Sequence, residues 1–263
     1  MTDETALDLA HAAMASDPDD DAVRLRFYER LADSELFLLL TEEPVGETLD
    51  PEVFPLETGP MVLAFDREDR LAQFAGRVAP YAALSGRVIV SMLTGQGVSL
   101  GVNLDVAPSA TLLDPEAVGW LAGTLAHAPL EAELRAEALS APGDVPQALL
   151  DGLDAKLATA AGLAQAACLA SVSYGDGSNG HLLGFIGAQP GAEGALARAA
   201  SEALTFSGID QGAMDVAFFR AETSVAQKLL RVGLRFDLPE PARVERAALG
   251  APGSDPDKPP RLR

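Results

Sequence analysis

The sequence predicts an α+β protein of two small domains, each a mixed sheet packed with helices. Three observations carry this expectation. The apolar run Met61-Val62-Leu63-Ala64-Phe65 passes directly into Asp66 and a helical pattern bearing Leu71 and Phe74. Gly101-Val102-Asn103 precedes a second helix, opened by Asp114-Pro115-Glu116. Beyond a stretch marked by Pro129, Pro142, Gly143 and Pro146, short strand-like and helix-like segments alternate again. A chain of 263 residues is also long for one core, and ordinary domain sizes favour two units.

Taken in order, Ala6, Leu7, Leu9, Ala10, Ala13 and Met14 recur at helical spacing, and Val23, Phe27 and Leu31 do so again. Asp17 is placed to cap the second helix, with Pro18 in its first turn. The run Asp19-Asp20-Asp21 lacks the Gly and the terminal Glu of a calcium loop. It reads instead as carboxylates meeting a helix's positive end, with Asp20 spaced to pair with Arg24. Residues 36–40 and 53–56 read as strands, and Gly59-Pro60 as the turn into strand 61–65. Asp66 is positioned to cap the following helix, with Asp69 at the capping-box position. Residues 87–93 and 98–104 are expected to be strands joined across Thr94-Gly95-Gln96-Gly97. Asp114-Pro115-Glu116 should then open a helix through Trp120 to about His127.

The helix leading into Ser34-Glu35-Leu36-Phe37, Ala64-Phe65-Asp66 with its helix, and Gly101-Val102-Asn103 ahead of Asp114-Pro115 together resemble the N-terminal domain of the SseB-like family, named for enhanced serine sensitivity. The resemblance spans roughly residues 6–126. Leu104 follows Asn103 where the family commonly has Pro. The shared motifs are apolar and structural, and most family members have no assigned chemistry, so the resemblance implies a fold rather than a reaction.

Residues 129–146 are the expected linker between a first domain at 1–128 and a second at 147–238. In the second, 149–163 suggests a helix, 167–174 and 181–188 two strands, and 192–207 a helix whose Leu196, Ala200, Ala203 and Leu204 share a face. A strand at 214–220, a helix at 224–232 and a last strand at 234–238 complete it. This alternation is similar to the C-terminal domain that SseB-like proteins often carry. Residues 239–263, with six prolines among scattered charges, read as a disordered tail.

The net charge is −20, of which −13 lies in residues 1–60. A surface this negative repels phosphate backbones and anionic lipid, which disfavours nucleic acid and membranes as direct partners. Cys168, the single cysteine, lies in an apolar run and reads as a small buried hydrophobe. The acidic start Met1-Thr2-Asp3-Glu4-Thr5 lacks the positive charge of a secretory signal, and no apolar run approaches the ~20 residues that span a bilayer. A cytoplasmic location is expected.

Several motifs imitate chemistry. Gly175-Asp176-Gly177-Ser178-Asn179-Gly180 matches the dinucleotide fingerprint, but a pyrophosphate needs a helix starting at those glycines, and His181-Leu182-Leu183-Gly184-Phe185-Ile186 reads as a strand. A hairpin loop is expected instead. Gly97-Val98-Ser99-Leu100-Gly101 matches the nucleophile elbow, yet Ser99 lies inside a predicted strand; a triad would need Asp114 or Asp144 and then His181, across the linker. His11, His127 and His181 show no metal spacing, and Glu42-Glu43 reads as surface.

The main basic concentration is Arg220, Lys228, Arg231 and Arg235, a candidate anion or partner surface in which two members are spaced to pair with Glu222 and Asp237. No catalytic, cofactor-binding or metal-binding set is assigned, and no cofactor is expected. The reading leans to a non-enzymatic cytoplasmic interaction or regulatory module with an unknown protein partner, homo-oligomerisation remaining open. The alternative is a small-ligand binder or enzyme linked to amino-acid metabolism, with a site between the domains.

Overall fold

A computed structural model describes residues 4–44, 48–57, 59–126, 136–175, 177–209 and 214–239. Two mixed sheets form two α+β units. The first contains α1 (Ala6–Ser16), α2 (Asp21–Asp33), β1 (Glu35–Leu39), β2 (Val53–Leu56), β3 (Gly59–Phe65), α3 (Glu68–Ala75), β4 (Tyr81–Ser85), α4 (Gly86–Leu93), β5 (Ser99–Val102), β6 (Thr111–Leu113) and α5 (Pro115–Leu125). Its strands run in the order β4-β1-β3-β5-β6, with β2 paired to the first half of β3. β3 and β5 are parallel neighbours; the other pairs are antiparallel.

Strand alternation divides the apolar residues of β3 between two cores. Val62 and Ala64 face the helices α1, α2, α4 and α5, packing with Leu7, Phe27, Leu31, Ile89, Val90, Val118 and Leu121. Met61, Leu63 and Phe65 face the other way, onto Leu71 and Phe74 of α3. A sheet covered on both faces explains why this strand reads as an unbroken apolar run.

The second unit contains β7 (Ala136–Ser140), α6 (Gln147–Ala158), β8 (Ala166–Tyr174), β9 (Asn179–Ile186), α7 (Glu193–Phe206), β10 (Met214–Phe219), α8 (Ser224–Val232) and β11 (Leu234–Phe236). Its sheet order is β10-β9-β8-β11, with β7 also paired to β8. One face packs on α6 and α7 through Leu153, Leu157, Leu196, Ala200 and Ala203. The other carries Cys168, Ala170 and Leu182 beneath Ala226 and Leu229 of α8.

Residues 87–93, expected as a strand, lie in the helix α4. β-branched content suggested the strand, but Gly86, Ile89, Val90 and Leu93 are buried at intervals of three and four while Val88 and Met92 are exposed, which is a helical period. The expected hairpin before Ser99 is therefore a helix–turn–strand. Tyr81–Ser85 and Thr111–Leu113 are strands that the sequence reading missed. Ala136–Ser140, in the stretch read as linker, is a strand of the second sheet, held by pairing to β8 rather than by any pattern of its own. The expected tail from residue 240 onward lies outside the described residues.

Two caps also differ. Asp20, not Asp17, caps α2 by accepting from Ala22 N–H at 2.8 Å, which leaves Asp21 to pair with Arg24 at 2.5 Å. Arg67 occupies the cap position of α3 without a side-chain bond, and Asp69 pairs with Arg67. Asp66 has a different task, described next. Asp114 caps α5 as expected, accepting from Ala117 N–H at 2.8 Å.

Candidate functional site

The C-terminal ends of the parallel strands β3 and β5 lead into Asp66 and Asn103, and the start of α1 lies over them. Asn103 is fully buried and adopts the left-handed conformation, φ 53°, which Asn tolerates better than most residues. Its Oδ1 accepts from the Asp66 N–H at 3.1 Å, and its Nδ2 donates to Ser109 Oγ at 2.9 Å. Ser109 Oγ in turn donates to Asp8 Oδ1 at 2.5 Å.

Arg70 bridges the two carboxylates, donating to Asp8 through both terminal nitrogens and to Asp66 at 2.8 Å. The Thr5 hydroxyl donates to Asp66 at 2.6 Å and caps α1 by accepting from Asp8 N–H, while Thr5 N–H returns a bond to Asp8. Burial pushes the Asp8 carboxyl upward, but the hydrogen bonds from Arg70 and Ser109 outweigh it and hold the group well below the usual carboxylate range. Donors and acceptors match throughout, and Asp8, Arg70, Asn103 and Ser109 are all buried. The arrangement ties α1 to the sheet; it does not present a reactive group.

This network joins two of the three motifs on which the family resemblance rests, Ala64-Phe65-Asp66 and Gly101-Val102-Asn103. Residues 7–120 match the family model for the SseB protein N-terminal domain. This part of the chain is therefore an SseB-type N-terminal domain. The match does not extend into the second unit. No curated protein and no solved structure matches the chain.

A second polar cluster lies where the SseB domain meets the second unit. Arg87 of α4 donates to Asp33 of α2 and, through two nitrogens, to Glu202 of α7 at 3.0 and 3.1 Å. Lys156 of α6, 4% exposed at its side chain, donates to Asp33 at 2.6 Å and to Glu202 at 2.8 Å, and lies over the Phe206 ring at 5.9 Å. Phe206 itself packs into the helical core of the SseB domain. Arg26 of α2 donates to the Ala148 carbonyl, adding another bond across the boundary. Burial raises Glu202, yet Arg87 and Lys156 bring it below the ordinary range, and Glu202 chiefly holds Arg87 above its own. Apart from the i, i+4 spacing of Glu29 and Asp33, nothing in the sequence announces this cluster, because its members come from four helices.

Ser99 is 3% exposed inside β5, a strand buried throughout and preceded by a helix and turn. A fluorophosphonate probe is expected to leave it unlabelled; labelling abolished by Ser99→Ala would reverse that assignment. The Gly175–Gly180 run spans the β8–β9 hairpin, with Gly177 at φ 85° and Tyr174 N–H donating to the Ser178 carbonyl at 2.9 Å. No helix starts there. Cys168 is fully buried, and burial raises its thiol despite Arg235 nearby. His11 sets its ring edge on Phe27 at 5.6 Å, His181 is half-buried in β9, and His127 lies outside the described residues. Among the described residues, no group of three or more His, Cys, Asp or Glu side chains is placed to hold a metal ion. No described helix is long and apolar enough to cross a membrane.

Among the described residues, open depressions include two that bear on the site. One, about 350 Å³, lies between α4, α5 and α7 and is lined by Val88, Met92, Leu125, Arg87 and Arg198. The other, about 500 Å³, brings Asp144, Ser171, Ser173, Asn179 and His181 together on the second sheet. Ser171 and His181 are cross-strand partners there, but Ser171 Oγ accepts from Gly143 N–H at 3.1 Å and Ser173 donates to Asn179. These contacts do not form the serine-to-histidine hydrogen bond that activates a nucleophile.

The four predicted basic residues all border α8. Arg220 precedes it, Lys228 and Arg231 lie on it, and Arg235 follows in β11. The nine-residue helix is about 13 Å long, with Arg220 four residues ahead of its start and Arg231 in its last turn. Arg235 pairs with exposed Asp237 at 2.8 Å, whereas no ion pair to Glu222 is formed among the described residues. Exposed Val225, Leu230 and Leu234 are interleaved with them, a feature that the charge reading overlooked.

Proposed function

We propose that the chain is a non-enzymatic cytoplasmic interaction module whose α8–β11 face receives an acidic, leucine-bearing segment of a partner protein. The second unit then serves as the C-terminal domain that SseB-like proteins often carry. One observation carries the reading: on a chain of net charge −20, exposed Val225, Leu230 and Leu234 lie among Arg220, Arg231 and Arg235 in the stretch that runs from just before α8 through β11. Apolar contact supplies affinity, while the cations steer acidic partners and discriminate against the many that are basic. The ligand-binding alternative between the units has less support, because Phe206 and paired charges occupy the centre of that boundary and the depression beside them is open to solvent.

The test uses a labelled short peptide of acidic and leucine residues, titrated by fluorescence anisotropy. Binding is expected to weaken with added salt and to fall about tenfold in Leu230→Asp/Arg231→Glu, a loss of ~1.4 kcal/mol. Both side chains are exposed, so folding should be retained. Undiminished binding by the double variant, or equal binding of a peptide without leucine, would remove this surface from the proposal.

A further inference from the structure

The cluster between the two units is unbalanced. In the ion pairs of the described residues three carboxylates, Glu29, Asp33 and Glu202, share two cations, Arg87 and Lys156, while Arg26 and Arg30 act on Glu29 only through longer-range attraction. Arg87 is engaged by Asp33 and Glu202, and two of the three Lys156 protons go to the same pair. Glu29 is left over. Its Oε1 is buried without a hydrogen-bond partner among the described residues and lies 3.7 Å from Lys156 Nζ, too far for a hydrogen bond. An ionised carboxylate in that position carries the cluster's surplus charge with poor compensation, and a proton removes the surplus.

We propose that the contact between the SseB domain and the second unit is a proton-linked clasp, tight when Glu29 is protonated and loosened when it is ionised. Every element packed around Glu29 contributes to its surroundings. Arg26, Arg30 and Asp33 share its helix; Lys156 comes from α6, as does Asp151, 3.9 Å from Arg26; Glu202 and Phe206 come from α7, and Arg87 of α4 reaches it through Asp33. Burial lifts the Glu29 carboxyl to about 7, with Lys156 opposing and Asp33 adding to the rise.

The sign follows from linkage. Between about 4.5, the ordinary value, and about 7, the closed form binds a proton that the open form releases. Closure is therefore favoured at the acid end of this window and weakened as pH rises through it. Glu202 is held below its ordinary value and Arg87 above its own, so both stay charged throughout.

Amide hydrogen exchange on the full chain, corrected for intrinsic rates, tests the clasp. From pH 5.5 to 8 the protection of α2, α6 and α7 at their contact should fall, on the order of tenfold to a hundredfold, while that of β1 and β3 holds steady. In Glu29→Gln, whose side chain is neutral at every pH, protection should be flat and exceed wild type at pH 8. An unchanged pH dependence in Glu29→Gln, a flat wild type, or an equal loss in the β1–β3 core would overturn the proposal. Should Glu29→Gln fail to fold, a carbon-13 titration of the Glu29 carboxyl in wild type decides: a midpoint near 7 supports the clasp, and one near 4.5 overturns it.

Discussion

Replacing Arg70 with Met is expected to destabilise the SseB domain by about 3–5 kcal/mol, the cost of breaking a buried ion pair from one side. Arg70 is 7% exposed at its side chain, and its partners Asp8 and Asp66 are 1% and 4% exposed. Without the guanidinium, two carboxylates remain in a buried site with Ser109 and Thr5 supplying only neutral contacts. Chemical denaturation should show the loss as a lower midpoint at unchanged slope.

The effect carries a pH signature. In wild type Asp8 is held below its ordinary value, so its contribution is complete above about pH 4 and fades as pH falls through that region. In the variant the stranded carboxylates favour protonation instead. The gap between the two proteins should therefore be widest near neutrality and narrow in acid. Arg70→Lys should recover only part of the loss, because one ammonium cannot reproduce the fork that reaches both carboxylates. A cost below 1 kcal/mol at neutral pH would show that the network is dispensable to α1 docking.

Gly86→Ala is the second large effect. A Cβ there would lie 2.0 Å from the Leu31 carbonyl oxygen and 2.9 Å from its carbon, and backbone cannot rotate away as a side chain can. Gly86 N–H also donates to the Ser34 carbonyl at 2.9 Å, so moving α4 off α2 breaks that bond as well. We expect a loss of about 3 kcal/mol, the upper part of the range for overpacking. Gly101→Ala offers a matched contrast, since its Cβ would meet the side chains of Leu63 and Leu104 at 2.6 and 2.7 Å, which can turn aside. About 1 kcal/mol is expected there. Equal costs at the two glycines would mean that helix spacing at α2–α4 is not limited by Gly86.

Local pattern carried much of this fold. The β8–β9 hairpin was legible from its glycine-rich connection, α7 from its apolar face, and α5 from Asp114-Pro115. Reading failed where neighbours in space overrode composition. Residues 87–93 look like a strand when judged by Val88, Ile89 and Val90, and become α4 because one face of that helix completes the core against β1, β5 and α5. Asp66 has the spacing of a cap, but Asp8 and Arg70 draw it into a buried bridge. The i, i+4 relation of Asp66 and Arg70 was visible in the sequence, whereas the third member, Asp8, lies at a distance of 62 residues from Arg70.

By itself, then, the sequence determined the α+β class, the acidic character and the likeness to the SseB domain, because these follow from local periodicity, capping chemistry and summed charge. Only the tertiary structure decided that Arg220, Lys228, Arg231 and Arg235 lie on and around α8 and β11, and that Glu29, Asp33, Arg87, Lys156 and Glu202 meet in one partly buried cluster. The physical reason is that burial and charge compensation depend on distances set by packing, and residues on four separate helices carry no record of those distances in their order along the chain.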